Sequence, residues 1–314
     1  GASSAAGCSR GGSNWSWMAA ARAVRSVTRG AAQLPSARAL RAPCAYGCRR
    51  VVPARGASSA AGSPDNGAGG TSLWSRFVRW SYKWAGDYVY PAKVDICNCG
   101  IDMGIVIPRP ELVLREGIEP GSKEWRMQMY GAALYWRLAT ARGVSAELDP
   151  DMIRGKDVLE VACMRGGGAR FLAEVGAPRS YVATDNVREH VERCAAHPEV
   201  PGLRFEFADA GQLAETYPAE SFDAIFCVQA IAAFDDIPGF VKGAAGVLRP
   251  GGRLVLCDAI NRMTFKTILD AIEDAGLEAS SSDLSRAVHA VGICTLPVGR
   301  SYMHIVAEKA SAGR

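Results

Sequence analysis

From residue 156 onward, short apolar runs alternate with stretches in which apolar residues recur every three or four positions. The runs are typical of buried strands, and the second spacing is typical of helices with one apolar face. The strands predicted in this way are 157–161, 180–184, 203–207, 223–228 and 253–257. Alternating strands and helices form parallel sheets with right-handed crossovers, so we predict an α/β fold with a Rossmann-like, doubly wound, mostly parallel sheet.

The end of the chain is predicted to close this sheet. Residues 264–275 have helical spacing, and Gly276 is expected to end that helix. Residues 288–296 and 302–307 form two short apolar runs, which we expect to pair as an antiparallel hairpin. A turn at residues 248–252 is expected before the strand at 253–257, because Pro-Gly pairs mark turns.

Two aromatic segments lie ahead of the predicted sheet. Within residues 122–143, Trp125, Met129 and Trp136 recur at helical spacing and predict one helix. Residues 73–90 combine tryptophan, tyrosine and phenylalanine with interleaved arginine and lysine. Such a segment packs over an apolar substrate as a lid or lies on a membrane surface, and we favour the lid while keeping membrane-surface contact as the alternative.

Charge is distributed unevenly along the chain. Residues 1–64 contain nine arginines and no lysine, aspartate or glutamate, whereas the remainder holds 27 basic and 32 acidic residues, a net charge of −5. An arginine-rich, acid-free leader is typical of organelle transit peptides, so we predict a mitochondrial protein, with the plastid as the alternative; a disordered basic tail is the competing interpretation. The negative remainder gives no electrostatic reason to expect nucleic acid as a partner.

Composition also suggests where domains begin and end. Residues 56–71 are rich in Gly, Ala and Ser and predict a flexible linker. We therefore divide the chain into a transit peptide or disordered leader at 1–64, a linker with an N-terminal helical lid at 65–150, and the sheet domain at 151–310.

The ten cysteines are scattered along the chain, and several lie within apolar runs. That distribution favours buried free thiols in a reducing compartment over a disulfide framework. Cys97-x-Cys99 is the only close pair outside the leader, and neither a second pair nor spaced histidines accompany it. The sequence therefore predicts no metal site.

Polar groups follow four of the predicted strands at the points where they end. In chain order they are Glu160, Asp185 with Asn186, Asp209 with Ala210, and Cys227 with Gln229. The carboxyl ends of parallel strands share one edge of a sheet, where nucleotides bind in such folds. Asp185 is suited to accept hydrogen bonds from two ribose hydroxyls, and Asp209 from an adenine amino group. A single strand-end aspartate is most simply a helix cap, but four polar strand ends in order favour a nucleotide ligand.

The first strand runs into a turn with the pattern Glu160-x-Ala162-x-Met164-x-Gly166, and a helical stretch follows. Strand, turn and helix together place backbone N–H groups and a helix N-terminus around a ligand. A hydride-transferring Rossmann enzyme begins in the same way, but it needs Gly-x-Gly-x-x-Gly directly after the strand. The glycines here, residues 166–168, come later, which disfavours that class.

These motifs resemble class I S-adenosylmethionine (SAM) dependent methyltransferases, whose turn reads acidic-x-Gly-x-Gly-x-Gly. Residues 93–260 are similar in particular to the phthiotriolone/phenolphthiotriolone dimycocerosate methyltransferase group. The matching segments are residues 97–100, 155–161, 165–168, 178–181, 201–205, 208–210, 220–223 and 247–252. The resemblance implies SAM as the cofactor, with Glu160 at its methionine part, Asp185 at the ribose and Asp209 at the adenine. The cofactor-binding residues that it implies are Glu160, Ala162, Met164, Gly166, Asp185, Asn186, Asp209, Ala210, Cys227 and Gln229.

The chain departs from this family at two places. Ala162 and Met164 replace two of the motif glycines, and Met164 brings a side chain to a position where the family's backbone approaches the cofactor closely. After the fourth strand the family carries an acidic residue and a histidine, which are replaced here by Gln229 and Ala232. No catalytic residue is assigned, because no obvious general base remains at these positions.

Two functions therefore remain open from the sequence. The first is SAM-dependent methyl transfer to a small, lipophilic acceptor in an organelle, with the aromatic segments as a roof over the acceptor. The second is a catalytically degenerate methyltransferase fold that serves as a subunit of an organellar assembly, beside a protein partner. We favour the first, because orientation of donor and acceptor can carry methyl transfer to an acidic hydroxyl without a general base.

Overall fold

The structure is a computed structural model that describes residues 49–50, 90–114, 116–292 and 296–311. The strands are β1 (Arg49–Arg50), β2 (Asp157–Val161), β3 (Ser180–Asp185), β4 (Leu203–Phe207), β5 (Phe222–Val228), β6 (Leu248–Asn261), β7 (Leu277–Asp283) and β8 (Arg300–Lys309). The helices are α1 (Lys123–Thr140), α2 (Gly167–Gly176), α3 (Arg188–Ala195), α4 (Leu213–Thr216), α5 (Ile237–Val247), α6 (Arg262–Asp274) and α7 (Ser285–Val291).

All of these strands join one sheet in the order β1-β7-β8-β6-β5-β2-β3-β4. Strands β2 to β6 are all parallel to one another, while β8 pairs antiparallel with both β6 and β7. The two-residue β1 adds antiparallel to β7. The seven longer strands confirm the predicted Rossmann-like sheet, mostly parallel with antiparallel strands at one side.

Helices cover both faces of this sheet, as a doubly wound fold requires. Alternate residues of a strand point to opposite faces. On one face, Val158 of β2 belongs to the same apolar cluster as residues of α1 and α2. On the other, Leu159 belongs to a second cluster with residues of α5 and α6. The carboxyl edge of the parallel strands lies between these two layers.

The parallel strands are confirmed, with one difference in extent. Strands β2 to β5 agree with the prediction to within one residue at each end, but β6 runs from Leu248 to Asn261 instead of 253–257. The expected turn before it is an irregularity within the strand, where the register with β5 shifts between Phe222 and Ala224. Pairing with β8 continues to Asn261 and carries the strand past the end of β5.

The predicted closing hairpin is wrong in one of its two strands. Residues 302–307 do lie in β8, but residues 288–291 belong to helix α7. The antiparallel partners of β8 are β6 and β7. The apolar run is helical because its buried residues recur at the spacing of a helix face. These residues are Leu284, Ala287, Val288 and Val291.

The helix predicted within 122–143 is confirmed as α1. The Oγ atom of Ser122 accepts a hydrogen bond from the Trp125 N–H at 3.1 Å and caps the first turn. The helix packs in the same apolar cluster as α2. Residues 1–48 and 51–64 of the predicted leader and residues 65–89 of the predicted linker and lid lie outside the described residues. Within the described ranges, no helix is both long and apolar enough to span a bilayer.

Candidate functional site

A cavity of about 290 Å³ lies at the carboxyl edge of the parallel strands. Residues at or just after the ends of β2, β3, β4 and β5 line it, together with one residue of β6. Those residues are Ala162 to Met164, Asp185 to Val187, Ala208, Ala210, Val228 to Ala230 and Asp258. Ligands of open α/β sheets bind at this edge, so the cavity is the candidate site.

The turn after β2 keeps a left-handed backbone at all three motif positions. The φ angle is 59° at Ala162, 50° at Met164 and 69° at Gly166. A residue other than glycine costs roughly 1–2 kcal/mol in this region, so Ala162 and Met164 hold a glycine-like conformation under strain. The turn therefore keeps a backbone that favours glycine at all three motif positions, although only Gly166 is a glycine.

The glycines after this turn allow other elements to reach the cavity. A Cβ atom at Gly168 would overlap the ring of Tyr135, and one at Gly167 would overlap the backbone of Asp95. Tyr135 comes from α1, and both it and Asp95 line the cavity. Glycine is required at these two positions by close packing.

Glu160 does not reach the cavity wall. It is 1% exposed, and its two oxygens accept hydrogen bonds from the Tyr135 and Tyr181 hydroxyls, each at 2.7 Å. Burial raises the pKa of the Glu160 carboxyl to about 7, although both phenols act to lower it. The contact predicted between Glu160 and the methionine part of the cofactor is therefore not direct, because Tyr135 forms the wall and occupies one of its oxygens.

Asp185 lies in the wall at the end of β3, with Asn186 beside it. Its Oδ2 atom accepts a hydrogen bond from the Met164 N–H at 2.9 Å. Its Oδ1 atom accepts one from the Val187 N–H at 2.9 Å and lies 3.3 Å from Nδ1 of His190. The carboxylate therefore links the turn after β2 to the first turn of α3.

His190 is a wall residue that sequence reasoning missed. The side chain is buried at 2% exposure, and no described residue hydrogen-bonds its Nε2 atom. It was interpreted as an ordinary surface or core histidine, because it matches no family position. The sequence did contain one indication of this role: His190 comes five residues after Asp185, in the helix that follows β3.

Of the residues predicted to bind the cofactor, Ala162, Met164, Asp185, Asn186, Ala210 and Gln229 lie in the cavity wall. Four of the predicted residues are not part of that wall: Glu160, Gly166, Asp209 and Cys227. Gly166 forms the N-cap of α2, and the Asp209 carboxylate accepts from the Gly211 N–H at 2.9 Å. Cys227 is fully buried in the cluster between the sheet and α5.

Residues 90–99, which we call the strap, cross one side of the cavity. Arg165 holds one end, because its guanidinium donates to the carbonyl oxygens of Pro91 at 2.8 Å and Val94 at 2.6 Å. Gln229 holds the other end, where its Oε1 atom accepts from the Cys99 N–H at 2.7 Å. The residue that replaces the family's acidic group thus fastens the strap, which contributes Tyr90, Asp95 and Cys97 to the wall.

Asp258 is the second wall residue that the sequence prediction missed. The last pair of residues between β5 and β6 is Val228 with Cys257, and Asp258 is the next residue of β6. Its oxygens accept from the Ala232 N–H at 3.0 Å and the Ala259 N–H at 2.6 Å. Burial raises the pKa of the Asp258 carboxyl to about 6, and the two N–H donors act against that rise. Asp258 directly follows the strand predicted at 253–257, but the prediction covered the polar residues after only the four earlier strands.

The acidic residues that line the cavity are not balanced by lysine or arginine among its described lining residues. Asp95, Asp185 and Asp258 contribute carboxylates, and the described residues that line the cavity include no lysine or arginine. Asp185 ends β3 and Asp258 lies in β6, three strand spacings away, or roughly 14 Å at the usual 4.8 Å between strands. An elongated ligand that carries positive charge fits this arrangement, and SAM is such a ligand, with its sulfonium, ammonium and ribose hydroxyls.

Comparisons with known proteins agree with this geometry. Residues 159–256 match a family model described as a methyltransferase domain. A phthiotriol/phenolphthiotriol dimycocerosates methyltransferase of Mycobacterium leprae is 30% identical over 191 residues, 61% of this chain and 63% of that protein. A fatty-acid O-methyltransferase of Mycolicibacterium smegmatis is 32% identical over 162 residues, 52% of this chain and 55% of that protein. The chain thus spans less than two thirds of either relative.

A solved structure supports the fold. A geranyl diphosphate methyltransferase in complex with GPP and sinefungin has a TM-score of 0.52 and 12% sequence identity, and the match covers 76% of this chain and 100% of that one. The predicted resemblance is confirmed by these findings. Residues 159–256 thus match a methyltransferase domain, and the sheet that contains them has the Rossmann-like fold of this solved methyltransferase.

Proposed function

We propose that this chain transfers a methyl group from SAM to the hydroxyl of a small, lipophilic acceptor. The observation that carries the proposal is the cavity at the carboxyl edge of the sheet, with its three carboxylates and, among the described lining residues, no lysine or arginine. When bound, SAM supplies a methyl group on a positively charged sulfonium. Carboxylates in a water-poor cavity attract that charge more strongly than they would in bulk water.

The cofactor would lie along the strand ends. Asp185 and Asn186 at the end of β3 hold the ribose, and the small residues Ala208 and Ala210 leave room for the adenine. Asp95 of the strap attracts the ammonium group. The strap also excludes water, since Arg165 fixes it against the turn after β2.

Asp258 would accept the proton of the acceptor. It lies in β6, on the side of the cavity away from Asp185, close to the loop that carries Ala233 and Phe234. A hydroxyl that becomes a methyl ether loses its proton, and a nearby carboxylate can take it. A fatty-acid carboxylate has no proton to lose and would be repelled by Asp258, so a hydroxyl is the favoured acceptor group.

The lipophilic character of the acceptor has two supports. Val228, Ala230, Ala233 and Phe234 give this end of the cavity an apolar wall. The two curated relatives are named for methyl transfer to phthiotriol dimycocerosates and to fatty acids. We carry over only their lipid character.

A binding and transfer experiment on the full chain tests this proposal. SAM is titrated by calorimetry, and transfer of labelled methyl from SAM is then measured to a long-chain alcohol, an alkylphenol and a fatty acid of similar length. We expect saturable binding and transfer to a hydroxyl acceptor. Absence of SAM binding at millimolar ligand would defeat the proposal, and faster transfer to the fatty acid would defeat its acceptor class.

A non-catalytic subunit of an organellar assembly is the second candidate. One observation favours it: Met164, at a position that is usually glycine in the family, is a residue of the cavity wall. On this alternative, wild-type protein does not bind SAM and is recovered with a protein partner. Under either candidate we propose that the protein acts in an organelle, in the mitochondrion before the plastid, on the basis of its acid-free arginine-rich leader.

A further inference from the structure

We propose that His190 shares the ribose with Asp185, and that its Nε2 atom accepts a hydrogen bond from one ribose hydroxyl of the bound cofactor. This inference rests on the proposed function, because it concerns the same cavity and the same cofactor. It makes His190 a ribose-positioning residue that the family resemblance does not supply.

The first step is the number of acceptor sites on Asp185. A carboxylate has about four lone-pair sites on its two oxygens. Three are directed at neighbours within the protein, namely the N–H groups of Met164 and Val187, each at 2.9 Å, and Nδ1 of His190 at 3.3 Å. One site remains, so Asp185 can accept from one ribose hydroxyl but not from both.

The second step is the tautomer of His190. Because Nδ1 faces an oxygen that only accepts, it carries the proton and donates to Asp185. In the neutral ring Nε2 then keeps its lone pair and is an acceptor. At Nε2 the neutral ring therefore offers the same kind of group that Asp185 lacks for the second hydroxyl.

The third step is the burial of that acceptor. His190 lines the cavity, its side chain is 2% exposed, and its Nε2 atom has no hydrogen-bond partner among the described residues. An unpaired buried acceptor is unfavourable, and a ligand hydroxyl would satisfy it. The backbone N–H of His190 donates to the Val187 carbonyl at 3.0 Å, and the contact of Nδ1 with Asp185 at 3.3 Å orients the ring.

Calorimetry with S-adenosylhomocysteine and its 2′-deoxy and 3′-deoxy analogues tests the contact on the full chain. Two variants separate the donor role of the His190 ring at Nδ1 from its acceptor role at Nε2. His190→Asn keeps a donor for Asp185 but removes the acceptor at the Nε2 position, whereas His190→Gln keeps an acceptor near that position. His289→Asn, on an exposed histidine of α7, is the matched control.

We expect His190→Asn to weaken S-adenosylhomocysteine roughly 5- to 100-fold, the range for loss of a buried hydrogen bond. For one of the two deoxy analogues, the wild type and His190→Asn should bind equally, because the contacted hydroxyl is absent. His190→Gln should bind more tightly than His190→Asn, and His289→Asn should match the wild type.

Two results would overturn the inference, and they differ from each other. If His190→Asn weakens all three ligands by the same factor, His190 acts only through Asp185 and the turn, while the proposed function stands. If wild-type protein binds neither SAM nor S-adenosylhomocysteine, the proposed function fails and this contact fails with it. Should His190→Asn not fold, the same comparison of three ligands is made with His190→Gln, which should show weakening smaller than 5-fold but confined to ligands with that hydroxyl.

Discussion

The backbone N–H of Met164 donates to Oδ2 of Asp185 across 2.9 Å, so one carboxylate ties the turn after β2 to the end of β3. Asp185→Ala leaves this N–H and that of Val187 without their acceptor. We expect the free energy of unfolding to fall by about 1–3 kcal/mol and SAM affinity to fall by a similar amount. Urea unfolding and calorimetry measure the two effects separately.

Asp283→Ala is the control for Asp185→Ala. The Asp283 side chain accepts from the Ser285 N–H at 2.8 Å at the exposed end of β7, in the turn that leads into α7. Its loss should cost stability, about 1 kcal/mol, without affecting SAM. If Asp185→Ala leaves SAM affinity unchanged, the ligand does not lie over β3, and the assignment of the ribose is wrong.

The Met164 position separates an enzyme from a degenerate subunit. Its φ of 50° is unfavourable for methionine, and Met164→Gly removes that strain. In an enzyme the turn has already adapted to the side chain, so SAM affinity should change by about 1 kcal/mol or less. In a degenerate subunit the wild type should fail to bind SAM at millimolar ligand, and Met164→Gly should restore some binding.

Ala177→Gly controls for the general effect of a glycine in this backbone region. Ala177 has a φ of 46° and follows α2 at an exposed position away from the cavity wall. Its replacement should relieve strain of the same kind and leave SAM binding unchanged. If neither the wild type nor Met164→Gly binds SAM, the chain is not a SAM-dependent enzyme. It then shares only its fold with the methyltransferases.

The sequence predicted those parts of the fold whose burial produces a clear pattern. Strands β2 to β5 are buried runs between turn residues, and they were found to within one residue. Strand β7, with the sequence Leu-Glu-Ala-Ser-Ser-Ser-Asp, was missed because it is largely polar and only its first residue is buried. Its place in the sheet is set by pairing with β8, between residues 20 or more positions apart in the chain, which no local pattern records.

The candidate site could be predicted only in outline, for a similar reason. Asp185 and Asn186 can be identified from the sequence, because they stand at the predicted end of β3 and that end of the strand borders the cavity. His190 and Asp258 enter the wall through the packing of α3 and the extension of β6 along β8. Glu160 fits the motif, but two tyrosines from α1 and β3 enclose it, and sequence spacing does not reveal that.

Enclosure of Glu160 makes stability depend on pH. Its pKa of about 7 in the folded protein lies above its ordinary value of 4.5, so the folded state binds the proton more tightly than the unfolded state. This contribution to stability is fully present below pH 4.5 and is lost as the pH rises through about 7. Glu160→Gln has no such proton, so the variant should gain stability relative to the wild type across that range. Urea unfolding at several pH values checks this, and a constant difference between the two proteins would contradict it.

The leader gives a prediction that is independent of the cavity. If residues 1–64, with nine arginines and no acidic residue, act as a transit peptide, import should remove the chain up to roughly residues 55–65. N-terminal sequencing of the mature protein from isolated organelles measures the cleavage site. Recovery of a mature protein that still carries Met18 would rule the transit peptide out.

Asp258→Asn tests whether the carboxylate takes the acceptor's proton. The amide has nearly the same shape but cannot take a proton at neutral pH, so turnover should fall by about 10²- to 10⁴-fold, the usual range for loss of a general base. Binding of SAM should change little, because the proposed ribose contacts lie at β3, at the other end of the cavity. Methyl transfer to a long-chain alcohol and calorimetry with SAM are the two measurements.

The pH dependence of turnover distinguishes a proton acceptor from a residue that only supports the loop after β5. Burial raises the pKa of Asp258 to about 6, and a base must be ionised to act. Wild-type turnover should therefore rise as the pH increases through about 6, and the residual turnover of Asp258→Asn should lack that rise. If the carboxylate serves only to accept from the Ala232 and Ala259 N–H groups, Asp258→Asn will lower stability and leave the shape of the pH profile unchanged. That second outcome would remove Asp258 from the proposed chemistry.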